Sequence, residues 1–335
     1  AFVYGNQDGD RVKQAVEEFK PLDGQFRDNV IIQIKNGPLD FQPREPYNPL
    51  FDNLQKTKMM AEFQITQEYL GQSTHLVYLS PMWKEFFDEV APSSLKAVAG
   101  VANIGNDANW CGHHFAQANW YAFGRLAWNP SLTSEQIADE WIRQTFSNND
   151  ALIKPVKEIM MSSREATVDY MMPLGLHHIF KADHHYGPEP WGNQKNFPEM
   201  WKPVYYHKAD RVAVGYDRSS TGSNAVAQYR HPNDSINDDI KTCPEQYLLW
   251  FHHVPWNYQM KDGNTLWNEM CYKYDKGVKE VHRFLSLWNS VEPYVDAERF
   301  AAVRTKLQQQ LENAICWKES CLLYFQTFSG MPIPS

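Results

Sequence analysis

The chain has 335 residues, 43% of them hydrophobic and 14% aromatic, which suits about two domains or one barrel-sized domain with an appendage. A formal net charge of -8 with no basic block speaks against a nucleic-acid partner, because phosphate binding concentrates Lys and Arg. No apolar run approaches the roughly 20 residues of a membrane span, so no span is expected.

In chain order, the first 130 residues alternate short apolar runs with helical stretches, as βα units around a parallel sheet do. Strands are predicted near Phe2–Tyr4, Val30–Lys35, Met60–Thr66, Leu76–Ser80 and Ala97–Asn103, with helices at Arg11–Lys20, Phe51–Met59, Trp83–Val90 and His114–Trp128. Five strands cannot close an eight-stranded barrel, so a barrel would hold only its later part here. Ala1-Phe2-Val3-Tyr4 reads as the tail of a strand already under way, with no initiator Met or leader, and the start of the protein is expected upstream. After Asn129-Pro130 helical spacing dominates: Glu135–Phe146, Ile153–Tyr170, Pro244–His253, Thr265–Asn289 and Ala297–Phe325. The predicted fold is therefore α/β over residues 1–135, followed by a mainly α-helical domain over 136–335. The last two helices carry apolar residues at three-to-four spacing (Leu266, Met270, Tyr274, Val278; Phe300, Val303, Leu307, Leu311), either an antiparallel pair or a subunit interface. Residues 171–242, rich in Gly, Pro, His and Tyr, show little periodicity, and long irregular segments of this kind are often functional.

The chemistry concentrates at two predicted strand ends. Asn29–Lys35 is β-rich and breaks at Gly37-Pro38, placing Lys35 and Asp40 at or just past a carboxyl end, the rim where barrel enzymes gather catalytic groups. An ordinary charged surface loop is the alternative. In the next strand Glu62, Gln64, Thr66 and Glu68 alternate with Phe63 and Ile65, so one face is polar. A parallel strand covered on both sides should be continuously apolar, and uncompensated buried carboxylates are costly. The polar face thus lines a wet cavity or marks an exposed edge strand. Asp40 and Glu68 at consecutive rim positions suit glycoside hydrolysis, which needs paired carboxylic groups, and Lys35 suits an anionic sugar. The 12 Trp, 17 Tyr and 18 Phe fit sugar stacking as well as core packing.

Four His-His pairs, 113–114, 177–178, 184–185 and 252–253, point their rings apart in strand or helix and are not expected to bind metal. No Gly-x-Ser-x-Gly, Walker loop or dinucleotide fingerprint occurs, and no cofactor is expected. Cys111, Cys243, Cys271, Cys316 and Cys321 contain no CxxC and do not read as a disulfide framework, so reduced thiols and a cytoplasmic or periplasmic location are expected over secretion. The sequon Asn233-Asp234-Ser235 is too common a pattern to indicate otherwise.

Eight segments resemble glycoside hydrolase family 67, the microbial α-glucuronidases. They are Pro21-Leu-Asp-Gly-Gln-Phe, Gln33-Ile-Lys-Asn-Gly-Pro-Leu-Asp-Phe-Gln, Arg44-Glu-Pro, Phe63-Gln-Ile-Thr-Gln-Glu-Tyr, Gly105-Asn-Asp-Ala-Asn-Trp, Gly124-Arg-Leu-Ala-Trp-Asn-Pro, His184-His-Tyr-Gly-Pro and Phe251-His-His-Val-Pro. The resemblance implies a (β/α)8 TIM barrel followed by a mostly helical domain. It matches Asp40 and Glu68 to carboxylates that activate water, and Lys35 and Glu62 to residues that hold the uronic acid. It implies inverting release of 4-O-methylglucuronic acid, α-1,2-linked to xylose in aldouronic acids from glucuronoxylan, by a homodimer joined through the helical domain. The general-acid Glu of the family lies on an earlier strand, before Ala1, so the 335 residues alone are expected to be inactive. The competing expectations are a non-catalytic carbohydrate-binding or assembly module and a barrel glycosidase for a neutral sugar.

Overall fold

The computed structural model describes residues 9–66, 68–106, 109, 111–182 and 185–334. The strand predicted at Phe2–Tyr4 lies outside them. Three parallel strands, β1 (Ile31–Lys35), β2 (Lys58–Gln64) and β3 (Ala97–Val101), form a sheet in sequential order. A short helix α1 (Gln14–Phe19) precedes it, α2 (Leu50–Asn53) and α3 (Ser80–Glu89) make the crossovers, and α4 (Ala116–Trp128) follows β3. Lys35 pairs with Glu62 and Ile34 with Ala61, so the two-residue period sorts the faces. Ile34, Ala61 and Phe63 are buried on the helix side, where the Phe63 ring lies 5.1 Å from Phe86 and 5.7 Å from Trp83. Gln33, Lys35, Glu62 and Gln64 share the other face, as the alternation in the sequence requires.

Two predicted elements differ. The helix expected at Phe51–Met59 stops at Asn53, because the Asp23 carboxylate accepts the N–H groups of Gln55, Lys56 and Thr57 and draws the chain out of the helical path into β2. Leu76–Ser80 is apolar and buried but is no strand. Its backbone partners are side chains: Gln310 Oε1 accepts from Leu76 N–H at 2.9 Å, Ser163 Oγ from Tyr78 N–H at 2.8 Å and Asn119 Oδ1 from Leu79 N–H at 2.8 Å. A buried extended segment needs every N–H and C=O satisfied, and here helices rather than neighbouring strands supply the partners.

From α5 (Ser134–Thr145), which opens on a Thr133–Gln136 capping box, the chain is mainly helical, continuing into α6 (Asp150–Met171). The described part of residues 172–264 holds short elements: the helices α7 (Pro203–His207), α8 (Asn233–Asp238) and α9 (Leu248–Phe251), several 3-10 turns, and a two-residue pairing of β4 (Ala213–Val214) with β5 (Val254–Pro255). Then α10 (Leu266–Ser290) and α11 (Ala297–Ser329) run antiparallel: Trp288 stacks on Phe300, Lys318 Nζ reaches Asp275, and Trp267 Nε1 donates to Pro332 O. The predicted seam is their shared core, with Met270, Tyr274, Val303 and Leu307 fully buried. Gly277 lets α10 meet α6, since a Cβ there would lie 2.4 Å from Tyr170 N. Among the described residues no helix is long and apolar enough to cross a membrane.

Candidate active site

The chain leaves β1 at Lys35 and turns tightly through residues 36–45. Glu45 organises that turn, its carboxylate accepting from Leu39 N–H at 2.7 Å, Asp40 N–H at 2.8 Å and Gln42 N–H at 3.0 Å. A Cβ on Gly37 would meet Glu45 Oε2 at 2.4 Å, so the loop closes over the carboxylate only with glycine there. Burial pushes the Glu45 carboxyl above its usual range, and the three N–H donors oppose that shift. Phe41 adopts a left-handed φ of 56°, uncommon for an aromatic residue and typical of constrained functional loops. The result presents Asp40 to Lys35, whose ammonium ion-pairs with Asp40 Oδ1 and lies 4.8 Å from the centre of the Phe41 ring.

Glu68 comes from the loop after β2, its Oε2 accepting from Gln64 Nε2 at 2.9 Å. Its neighbour Tyr69 donates its hydroxyl to Asp40 Oδ2, so one loop grips the carboxylate presented by the other. Burial first, and then Asp40 beside it, raise the Tyr69 phenol well above its ordinary value, keeping it a donor. The Tyr69 ring stacks on His185 at 4.5 Å with an interplanar angle of 22°. His185 Nδ1 lies 3.2 Å from Glu68 Oε1, and as an ionised carboxylate only accepts, the imidazole donates. That hydrogen bond holds the Glu68 carboxyl below the usual carboxylate range, against the opposing effect of partial burial. Asp40 and Glu68 thus meet opposite ends of one Tyr69–His185 stack.

Asp40, Tyr69 and His185 open onto a cavity of about 270 Å³ that also receives Arg11, His178 and Lys181. Glu68 opens onto a second hollow of about 370 Å³ with neutral polar walls, among them Thr66, Gln72, Ser73 and Asn103. Arg11 and Lys181, with Lys35 paired to Asp40, give the first cavity a cationic character suited to an anionic ligand. Glu62 lies deeper on the sheet beside Lys35, where Gln33 Nε2 donates to it at 2.7 Å. Lys35 and Asp40 are therefore in direct contact with Glu62 in register beside Lys35, whereas Glu68 is linked to Asp40 through His185 and Tyr69 and opens onto the other hollow.

Arg11, Tyr69, His178 and Lys181 were not legible as site residues. Arg11 is held by Tyr206, whose hydroxyl accepts from Nη1 at 2.9 Å, across most of the chain, and no local pattern encodes that contact. Tyr69 directly follows Glu68, and His185 lies in the irregular stretch 171–242, of a kind that is often functional. In the pair 177–178 the rings take different partners: His177 Nδ1 faces Gly175 O and its Nε2 faces Arg218, whereas His178 Nδ1 faces Gln42 Nε2.

A profile described as the glycosyl hydrolase family 67 C-terminus matches residues 111–335, and one described as the middle domain of that family matches residues 1–92. A probable alpha-glucuronidase A of Aspergillus niger is 37% identical to this chain, aligning with 99% of it and 42% of its own length. The alpha-glucuronidase A proteins of Aspergillus tubingensis and Emericella nidulans are similar to the same extent over the same shares. The chain spans about 42% of the length of these curated relatives.

Proposed function

Because the chain belongs to glycosyl hydrolase family 67, we propose that it carries the later strands of a (β/α)8 barrel and the helical domain of an inverting α-glucuronidase. Residues 1–135 are the barrel part and 136–335 the helical part. The substrate is 4-O-methylglucuronic acid linked α-1,2 to xylose in xylo-oligosaccharides.

Asp40 and Glu68 orient one water and remove its proton as its oxygen attacks the anomeric carbon. The bond from that carbon to the xylose oxygen breaks, and a carboxylic acid protonates the departing oxygen. Neither Glu45 nor Glu62 is given that acid role, since Glu45 is occupied by three backbone donors and Glu62 by Gln33. No general acid is assigned within residues 1–335. Lys35, whose ammonium pairs with Asp40 at the end of β1, and its sheet neighbour Glu62 hold the uronic acid. The observation that carries this reading is the convergence of Asp40 and Glu68 on the Tyr69–His185 stack beside Lys35.

The test is hydrolysis of an aldouronic acid by the full-length protein, with the anomer of the released acid followed by NMR. The β-anomer should appear first, and Asp40→Ala and Glu68→Ala should each lower kcat about 10²–10⁴-fold. Near-normal rates in both variants would rule the assignment out, and binding without hydrolysis by the unaltered protein would indicate a carbohydrate-binding module instead.

A further inference from the structure

Among the described residues, the helical part of the chain reaches the first cavity through His178, Phe180, Lys181, Ala182, His185, Phe197 and Trp201. Phe180 bridges Pro188, Lys181 N–H donates to Gly187 O at 2.9 Å, Glu189 N–H to Ile179 O at 3.0 Å, and Glu189 Oε2 accepts from Ala182 N–H at 2.8 Å. Within this framework His185 adopts a φ of 55°, which a residue bearing a Cβ holds only where its surroundings impose it. The consequence of that backbone is the placement of the imidazole, flat on Tyr69 and with Nδ1 at Glu68 Oε1.

We propose, resting on the hydrolase reading above, that His185 is a positioning residue for the water-activating pair: it fixes the Glu68 side chain and sustains its charge, so that the helical part of the chain sets the acidic limit of activity. Two features support this. Among the described residues Glu68 is hydrogen-bonded by Gln64, a neutral donor, and by His185, which can carry charge, whereas Asp40 is ion-paired directly with the Lys35 ammonium. Tyr69 couples the two carboxylates, donating to Asp40 while backing His185, so moving the imidazole disturbs both. Among the described residues, the charged and titratable groups around His185 include Glu68, Tyr69, Asp40 and Lys35 from the sheet loops, Arg11 from before β1, and His178 and Lys181 from the same irregular stretch.

The sign follows. The hydrogen bond from His185 lowers the Glu68 carboxyl, so its removal raises that carboxyl, and the acid limb of kcat/KM moves to higher pH. The experiment compares unaltered full-length protein with His185→Ala and His185→Gln on 4-O-methylglucuronosyl xylobiose across pH, with circular dichroism to verify folding. For His185→Ala the limb should rise by about one pH unit. For His185→Gln, which keeps a neutral donor, it should rise less, with kcat better preserved. Lower rates with an unmoved limb in both variants would overturn the proposal, because loss of structural support alone gives that pattern. If the unaltered protein does not hydrolyse the substrate, the functional reading fails separately, and ¹³C titration of the Glu68 carboxyl then decides: an upward shift in His185→Ala supports the positioning role and an unchanged midpoint overturns it.

Discussion

Glu45 and Lys35 act on Asp40 in different ways, and their variants should separate accordingly. Glu45 holds the backbone on which Asp40 rides, and Glu45→Ala leaves the N–H groups of Leu39, Asp40 and Gln42 without their acceptor. Each group left so costs about 1–3 kcal/mol where water cannot replace the carboxylate, so both stability and kcat should fall, read by urea unfolding and initial rates. Lys35→Ala removes a charge at the sugar-facing end of the pair without unmaking the loop. It should strongly reduce kcat/KM for uronides and scarcely affect the unfolding midpoint, and unchanged preference for uronic over neutral glycosides would count against its assignment. At this scale the sequence was most informative for charged residues next to strand ends. The alternation and the Gly37-Pro38 break place Lys35, Asp40 and Glu68 at or just past neighbouring strand ends, which is where the structure has them. Arg11, held by Tyr206, was not, because the contact depends on how distant segments pack.

Between residue and molecule, the extended stretch Leu76–Leu79 shows how an element can be misread. Its apolar run matches a buried strand, and periodicity alone cannot distinguish a segment hydrogen-bonded to strands from one hydrogen-bonded to side chains. Gln310 on α11, Ser163 on α6 and Asn119 on α4 take the place of a neighbouring strand, joining the sheet part of the chain to three helices. Polar residues inside otherwise apolar helix faces were the available sign of it. Gln310 is fully buried and bonds both N–H and C=O of Leu76, so Gln310→Leu should destabilise the fold by about 1–3 kcal/mol, measured by denaturant unfolding. A change within a few tenths of a kcal/mol would mean that water replaces the glutamine. The long helices α10 and α11 were legible, their starts to within a residue, because their seams keep one period over many turns and Thr265 and Asp296 cap their starts, while α11 runs four residues past the predicted Phe325.

For the whole molecule, the exposed Tyr272, Ile315 and Leu323 on the outer sides of α10 and α11 accord with the proposed homodimer through the helical domain. Sedimentation velocity of the full-length protein should give the mass of two copies, and a monomer at micromolar concentration would exclude it. The 335 residues alone, a 39 kDa species, should bind aldouronic acids weakly and hydrolyse none, and full activity in that species would contradict the assignment of the general acid elsewhere. The division into a sheet-bearing part and a helical part was legible from period alone, whereas the reach of the His185 loop across it was not, because a loop with left-handed residues leaves no periodic trace. The central claim is that Asp40 and Glu68 serve one water. The most direct measurement is a double-mutant cycle on kcat in the full-length protein: Asp40→Ala with Glu68→Ala should be scarcely slower than the slower single variant, as for groups acting as a unit. Losses that simply multiply would show two independent roles and contradict it.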